Sequence, residues 1–362
     1  MQLQKLNILL PLTQLEGITL TEPLALAFEQ MKKCRTPEKG GRVYLCPDCG
    51  TKVILYNPCN KRGCPICYRK HQIQWQKKTE RKILPVTHYH LTFSVPTVYT
   101  GIWLRNKNEV MSSLFIAARD AISYFSKEIG LLLGSVLVFQ SHGKGMSYKP
   151  HIHCVLSGGG LDKDNQWINL QDIPTKHMEL ITKESFEREI NRRLHITTQI
   201  REYSRKAKDY RIYMSIHKNS GKNVVTYLSK SQHGVVINME QVFKIEEDSI
   251  VFKEADYGSI RETRLLKKTF IERYLKHIPP DRAVVKRYYG LYSNRHSKDL
   301  KKARSLIGPV TLEEPHVYKE RCPICNQEME LIEVIPKNES YKFRKYGREQ
   351  GPPKHRSVIC VA

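Results

Sequence analysis

The sequence predicts an α+β fold: an antiparallel sheet with helices, preceded by a four-cysteine zinc ribbon and followed by a basic C-terminal module. Three observations predict it. Strand-length alternating segments recur between helix-length apolar stripes from about residue 85 to 234. Paired cysteines stand ahead of that region. Basic residues outnumber acidic ones, 60 against 36, for a net charge of +24.

The elements follow in order. A helix is expected over Pro23–Lys33, carrying Leu24, Leu26, Ala27 and Phe28. A basic helix, Tyr68–Lys82, leaves the cysteine-rich segment. The run His88–Val95 alternates as a strand and is closed by Pro96. Asn108–Ile129 places Met111, Leu114, Phe115, Ala118, Ile122 and Phe125 on one helix side. Leu131–Gln140 and His151–Leu156 read as strands, the latter ending in a turn at a glycine triplet. A polar loop, Ser157–Thr175, follows. Phe186–Ile196 is expected to be helical and Tyr210–Ile216 a strand. Ser220 and Gly234 would cap a helix carrying Val224, Tyr227 and Leu228. A strand-rich stretch reaches Phe252. Thr269 and Glu272 form a capping box for a helix that stops at Pro279-Pro280. The helices are expected on one side of the central sheet.

An excess of positive charge spread along the chain predicts a polyanion partner, and nucleic acid fits better than a membrane surface. The N-terminus lacks a cationic region ahead of a long apolar stretch, and the longest apolar run, Leu131–Phe139, is too short to span a bilayer. A cytoplasmic protein at the bacterial nucleoid, with no membrane partner, is expected. In that reducing compartment ten cysteines point to metal rather than to disulfides.

Cys46 and Cys49 form one Cys-x-x-Cys knuckle, and Cys64 and Cys67 form another fourteen residues on. Two knuckles at this separation predict one structural Zn²⁺, since four thiolates close a tetrahedron and leave no open position. Cys59 lies between them and could replace a ligand, join a second ion or stay free. A third knuckle, Cys322 and Cys325, finds its partners in His355 and Cys360, which would complete a second zinc set.

His151-Ile152-His153 stands inside SYKPHIHCVLSGGG. Residues two apart on a strand share a face. Two imidazoles therefore share one face while Ile152 enters a core. Such a pair can hold one metal ion, and in so basic a chain that metal would meet a phosphate. Paired surface or core histidines are the plainer reading.

Taken in order, CPDCG and CNKRGCPIC, ILPVTHYHLTFSVP, SHGKGMSYKPHIHCVLSGGGL, VVTYLSKSQHGVVI, FIERYLKHIPP, KRYYGLYSNRH and CPICNQEMELIEVIP resemble one known family over about residues 42–335. These are the HUH endonucleases, more narrowly the rolling-circle transposases of the IS91 type. The resemblance implies an HUH nuclease core at 85–234. The zinc-bearing segment 1–84 precedes it, a basic DNA-binding extension spans 235–310, and the C-terminal knuckle and tail occupy 311–362.

It also implies a metal-dependent nuclease and strand transferase acting on single-stranded DNA at the element's ends and target. His151 and His153 match the family's ligands for Mg²⁺ or Mn²⁺, and Tyr227 matches its first nucleophilic tyrosine. The third ligand is taken as Gln140, with Gln232 and His142 as rivals. His88 and His90 fall outside the ligand motif and are read as packing or substrate contacts. Four residues past Tyr227, where relatives carry a second tyrosine, stands Ser231, so one tyrosine would act alone or sequentially.

Lys149, Lys222 and Lys230 flank this chemistry and could hold phosphates. Arg287, Tyr289, Arg295 and His296 mix cations with aromatics as single-strand grooves do, and Tyr288 joins them as a base-stacking candidate. No phosphate loop of helicase type is present in the sequence, so unwinding is expected from a host helicase. Two rivals remain: a plasmid replication initiator or relaxase with the same chemistry, and a zinc-ribbon DNA-binding protein without catalysis.

Overall fold

The computed structural model describes residues 22–206, 210–217, 222–229, 236–237, 241–256, 259–280, 283–308, 320–337 and 358–361. Helix α1 (Glu22–Lys32) leads to strands β1 (Gly41–Leu45) and β2 (Lys52–Tyr56) and then helix α2 (Tyr68–Lys82). β3 (His88–Ser94) precedes α3 (Thr100–Arg105) and the long α4 (Lys107–Glu128). β4 (Leu132–His142), β5 (Tyr148–Leu161) and β6 (Trp167–Asn169) are followed by α5 (Thr175–Leu194) and α6 (Thr197–Lys206). β7 (Arg211–His217) precedes α7 (Lys222–Ser229). Next come β8 (Val242–Ile245), β9 (Ser249–Asp256), β10 (Ser259–Leu266) and α8 (Lys267–His277). β11 (Lys286–Gly290), α9 (Ser297–Ile307), β12 (Glu330–Ile335) and β13 (Val358–Val361) complete the order.

The α+β class is borne out. The central sheet runs β11-β4-β5-β3-β7, with β6 paired to β5, and every pair in it is antiparallel. Its middle strands are apolar on both faces. Leu137, Ile152, Cys154 and Leu156 enter one core with Phe115 and Ala118 of α4 and Phe186 and Ile190 of α5. Val136, Val138 and Val155 enter a second core with Trp75 of α2, Val224, Val225 and Leu228 of α7, and Leu300 and Ala303 of α9. Helices therefore cover both faces, not one. A strand with apolar side chains on both faces needs a cover on each.

The glycine triplet does not end β5, which continues to Leu161. A Cβ on Gly158 would lie 2.5 Å from the Thr87 carbonyl oxygen, one on Gly159 2.5 Å from that of Ile168, and one on Gly160 2.7 Å from that of Leu132. The glycines permit close backbone approach inside the sheet. Helix α8 begins at Lys267, so Thr269 sits inside the first turn rather than capping it. Ser220 and Gly234 lie outside the described residues.

Two smaller sheets flank the central one. In the order β10-β9-β8, Ile250 and Phe252 pack with Phe270, Ile271 and Tyr274 of α8 and with Phe28 and Met31 of α1. The other runs β12-β1-β2-β13, with β12 antiparallel to β1 and β13 parallel to β2. Sheet pairing thus crosses the expected segment boundaries. β11, from the 235–310 segment, pairs with β4, and the C-terminal strands β12 and β13 join the N-terminal sheet.

Candidate metal centres and active site

Strand register assembles the histidine site. Gln140 on β4 stands opposite His151 on β5, and Thr92 on β3 stands opposite His153. All four share the sheet face that also carries Val155 and Val138, the face on which α7 packs. His153 Nε2 lies 3.0 Å from His151 Nε2 and 2.6 Å from Gln140 Oε1. Three groups able to offer lone pairs converge on one point.

The surroundings favour presenting these atoms to a cation. His151 Nδ1 faces the Lys149 carbonyl oxygen at 2.7 Å, which accepts its proton and leaves Nε2 bare. His153 Nδ1 faces His90 Nε2 at 2.9 Å and Thr92 Oγ1 at 3.1 Å, either of which can accept its proton. Gln140 Nε2 donates to His142 Nε2 at 3.0 Å, turning Oε1 toward His153. Burial lowers His151 to about 4 and His142 to about 3. Burial, reinforced by the neighbouring His151, holds His153 well below the usual histidine range. At neutral pH the imidazoles are uncharged. Two imidazole nitrogens and one amide oxygen form a mixed set that suits a divalent cation with open positions.

Of the rivals for the third position, His142 anchors the Gln140 amide instead, and Gln232 lies outside the described residues. The supporting pair His90 and Thr92 was missed by reading the His-x-His run alone. Its signal was the alternation of β3, which puts His88, His90 and Thr92 on one face. His88 is a packing residue, bonded to the Tyr292 hydroxyl at 2.7 Å and facing the Val86 carbonyl at 2.8 Å.

Helix α7 is fixed from above by α2. Gln72 Nε2 donates to Ser229 Oγ at 3.1 Å and Gln76 Nε2 to Thr226 Oγ1 at 3.0 Å. Tyr227 lies on this helix, and its side chain, with Lys230 and Ser231, lies outside the described residues. Lys149 and Lys222 are exposed.

The run KRYYGLYSNRH is not the expected open groove. It forms edge strand β11 and the turn into α9. The Arg287 guanidinium stands 4.4 Å from the Phe115 ring centroid, and Tyr289 is half-buried against the main core. The Tyr288 hydroxyl meets Thr79 Oγ1 at 2.9 Å. His296 Nδ1 is bonded to Asp299 at 2.7 Å, while Arg295 is exposed. Alternation on a strand covered on both faces spends Arg287, Tyr288 and Tyr289 on packing.

The cysteines gather into two groups of four, and their partition corrects the expected one. Cys34, Cys59, Cys64 and Cys67 form one group, and Cys46, Cys49, Cys322 and Cys325 the other, with the thiols of each group within 4.8 Å of one another. The knuckle Cys46/Cys49 therefore does not share an ion with Cys64/Cys67. Its Cys46 Sγ lies 3.4 Å from Cys325 Sγ and its Cys49 Sγ 3.5 Å from Cys322 Sγ. The pairing of β1 with β12 brings the two knuckles together. Cys46 and Cys49 already complete the Cys322/Cys325 set, so His355 and Cys360 are not needed. His355 lies outside the described residues, and Cys360 stands on β13 beside Ile54 of β2.

Cys59, left open by the sequence, is a member of the first group, and Cys34, not singled out there, is another: Cys34 Sγ lies 3.4 Å from Cys67 Sγ. The Thr51 hydroxyl, 3.1 Å from Cys49 Sγ, lowers that thiol to about 6. Four thiols in tetrahedral reach fit structural Zn²⁺.

Comparison with known proteins agrees with this layout. Residues 15–95 match the family described as "Transposase zinc-binding domain", and residues 134–299 match "Putative transposase". The protein named "Putative transposase y4qJ" of Sinorhizobium fredii (strain NBRC 101917 / NGR234) is 26% identical over 346 residues, covering 83% of this chain and 87% of its own length. "Transposase for insertion sequence element IS801" of Pseudomonas savastanoi pv. phaseolicola is 29% identical over 143 residues, covering 39% of this chain and 35% of its own length. No solved structure matches. A zinc-binding N-terminal part joined to a transposase core defines the class. Together these matches support an IS91-family transposase with an N-terminal zinc-binding domain. Among the described residues no helix is long and apolar enough to cross a membrane.

Proposed function

We propose that this transposase nicks and rejoins single-stranded DNA at the ends of its insertion sequence through a 5′-phosphotyrosine on Tyr227, in rolling-circle-type transposition. The observation that carries this reading is the convergence of His151 Nε2, His153 Nε2 and Gln140 Oε1 on the sheet face covered by α7. A bound Mg²⁺ or Mn²⁺ would polarise the scissile phosphate there. His151, His153 and Gln140 would hold that ion, and His90, Thr92 and His142 would fix their orientation. The Tyr227 oxygen attacks phosphorus, the P–O3′ bond breaks, and the phenol proton passes through solvent to the leaving 3′ oxygen. One phosphoester replaces another, so the strand can be rejoined elsewhere without a nucleotide cofactor.

The test is incubation with single-stranded DNA from the element's ends and Mn²⁺, followed by a denaturing gel. A covalent protein–DNA band that disappears in Tyr227→Phe is expected. Absence of a band with every end sequence would favour DNA binding without catalysis, and a band that survives Tyr227→Phe would move the nucleophile to another residue.

A further inference from the structure

Strand β7 forms one edge of the central sheet, next to β3. Its register extends the rows that build the histidine site. Ser94 of β3 stands between His151 of β5 and Arg211 of β7, and Thr92 stands between His153 and Tyr213. Arg211 and Tyr213 therefore project from the same face as the histidine pair, two strands away, or about 10 Å at ordinary strand spacing. Ile212 between them turns the other way into the main core. Tyr213 is 56% exposed, although it is a large aromatic on a sheet face. A cleft of about 430 Å³ opens at this point, lined by Lys149, Lys206, Arg211, Tyr213 and Ser94 together with the chain that follows β3, and among the described residues no acidic one lines it. Lys149 also joins the two sites through the backbone, because its carbonyl oxygen receives the His151 Nδ1 proton.

We propose that this cleft is a nucleotide subsite for the single strand adjoining the scissile phosphate. Lys149 and Arg211 bind backbone phosphates, and the Tyr213 ring stacks on an unpaired base. This rests on the single-strand reading of the histidine site. A base in a duplex has both faces covered by its neighbours, so an exposed ring on a sheet face selects unpaired bases. Stacking of this kind tolerates every base. The distance to the histidine pair corresponds to about three nucleotides at a stacked rise of 3.4 Å, and fewer in a stretched strand.

The experiment measures anisotropy of a fluorescein-labelled oligothymidylate with the full zinc-loaded chain and no added Mg²⁺ or Mn²⁺. Tyr213→Ala is expected to weaken binding roughly five- to hundredfold, the range for one lost base stack, and Tyr213→Phe to retain it. Arg211→Ala is expected to lower the salt slope by about 0.7, the share of one phosphate on a single strand. Both side chains are exposed, and an unchanged thermal melt confirms that the variants fold. Wild-type affinity and salt slope in both Tyr213→Ala and Arg211→Ala would overturn the subsite while leaving the Tyr227 adduct intact. Normal loss of affinity in Tyr213→Ala together with no adduct in the wild type would keep the subsite and reject the nicking reaction. A wild type that binds duplex but no single strand would reject both.

Discussion

The histidine site draws two of its three groups from one strand, two residues apart, and the third from the neighbouring strand of the same hairpin. The second cysteine cluster draws half its thiols from residues 46 and 49 and half from 322 and 325, at the other end of the chain. The first site depends on the period of a strand, which is a local property. The second depends on which strands pair, which local spacing does not encode. Knuckle spacing says that two thiols share an ion; it does not say which other two complete it.

The largest effect that would break this contrast is expected at the cross-chain cluster. Replacing Cys322 and Cys325 by Ser should cut bound zinc from two ions per chain to one, read by metal analysis. It should also lower the thermal melt markedly, because structural zinc contributes folding free energy directly. His355→Ala should leave both ions in place; loss of an ion in that variant would restore the partition first read from the sequence.

A smaller effect sharpens the histidine side. His90→Ala or Thr92→Val should weaken Mn²⁺ affinity about 10- to 100-fold, the usual range for groups that orient a ligand, while zinc content stays unchanged. Isothermal titration with Mn²⁺ checks this, and unchanged affinity in the double variant would leave His153 oriented by something else.

The smallest effect concerns His88, which burial holds near 4. Its folded value lies below the unfolded value, so the unfolded chain binds the proton more readily. Stability from this group is present above about pH 6.5 and is lost as pH falls toward 4. Unfolding free energies from urea titrations at pH 7 and pH 5 should differ by about 1–2 kcal/mol more in the wild type than in His88→Gln.

Much of the fold was legible because strand and helix periods are local. Helices α1, α2 and α4 and strands β3 and β4 fall within a few residues of their expected bounds. The face shared by His151 and His153 followed from the same rule. Besides the cysteine partition, three features were not legible, each for a physical reason. The glycine triplet reads as a turn unless the carbonyls of Thr87, Ile168 and Leu132 are known to approach it. KRYYGLYSNRH reads as a nucleic-acid groove unless β11 is known to lie between Phe115 on one face and Thr79 on the other. Arg211 and Tyr213 carry no motif; only the register of β7 against β3 aligns them with the histidine pair.

The most direct test is a metal inventory. The zinc-loaded wild type should bind one Mn²⁺ per chain beyond its two zinc ions, detected by electron paramagnetic resonance. His151→Ala with His153→Ala should lose that Mn²⁺ and keep both zinc ions. Unchanged Mn²⁺ binding in the double variant would contradict the assignment of the histidine pair as the catalytic metal site.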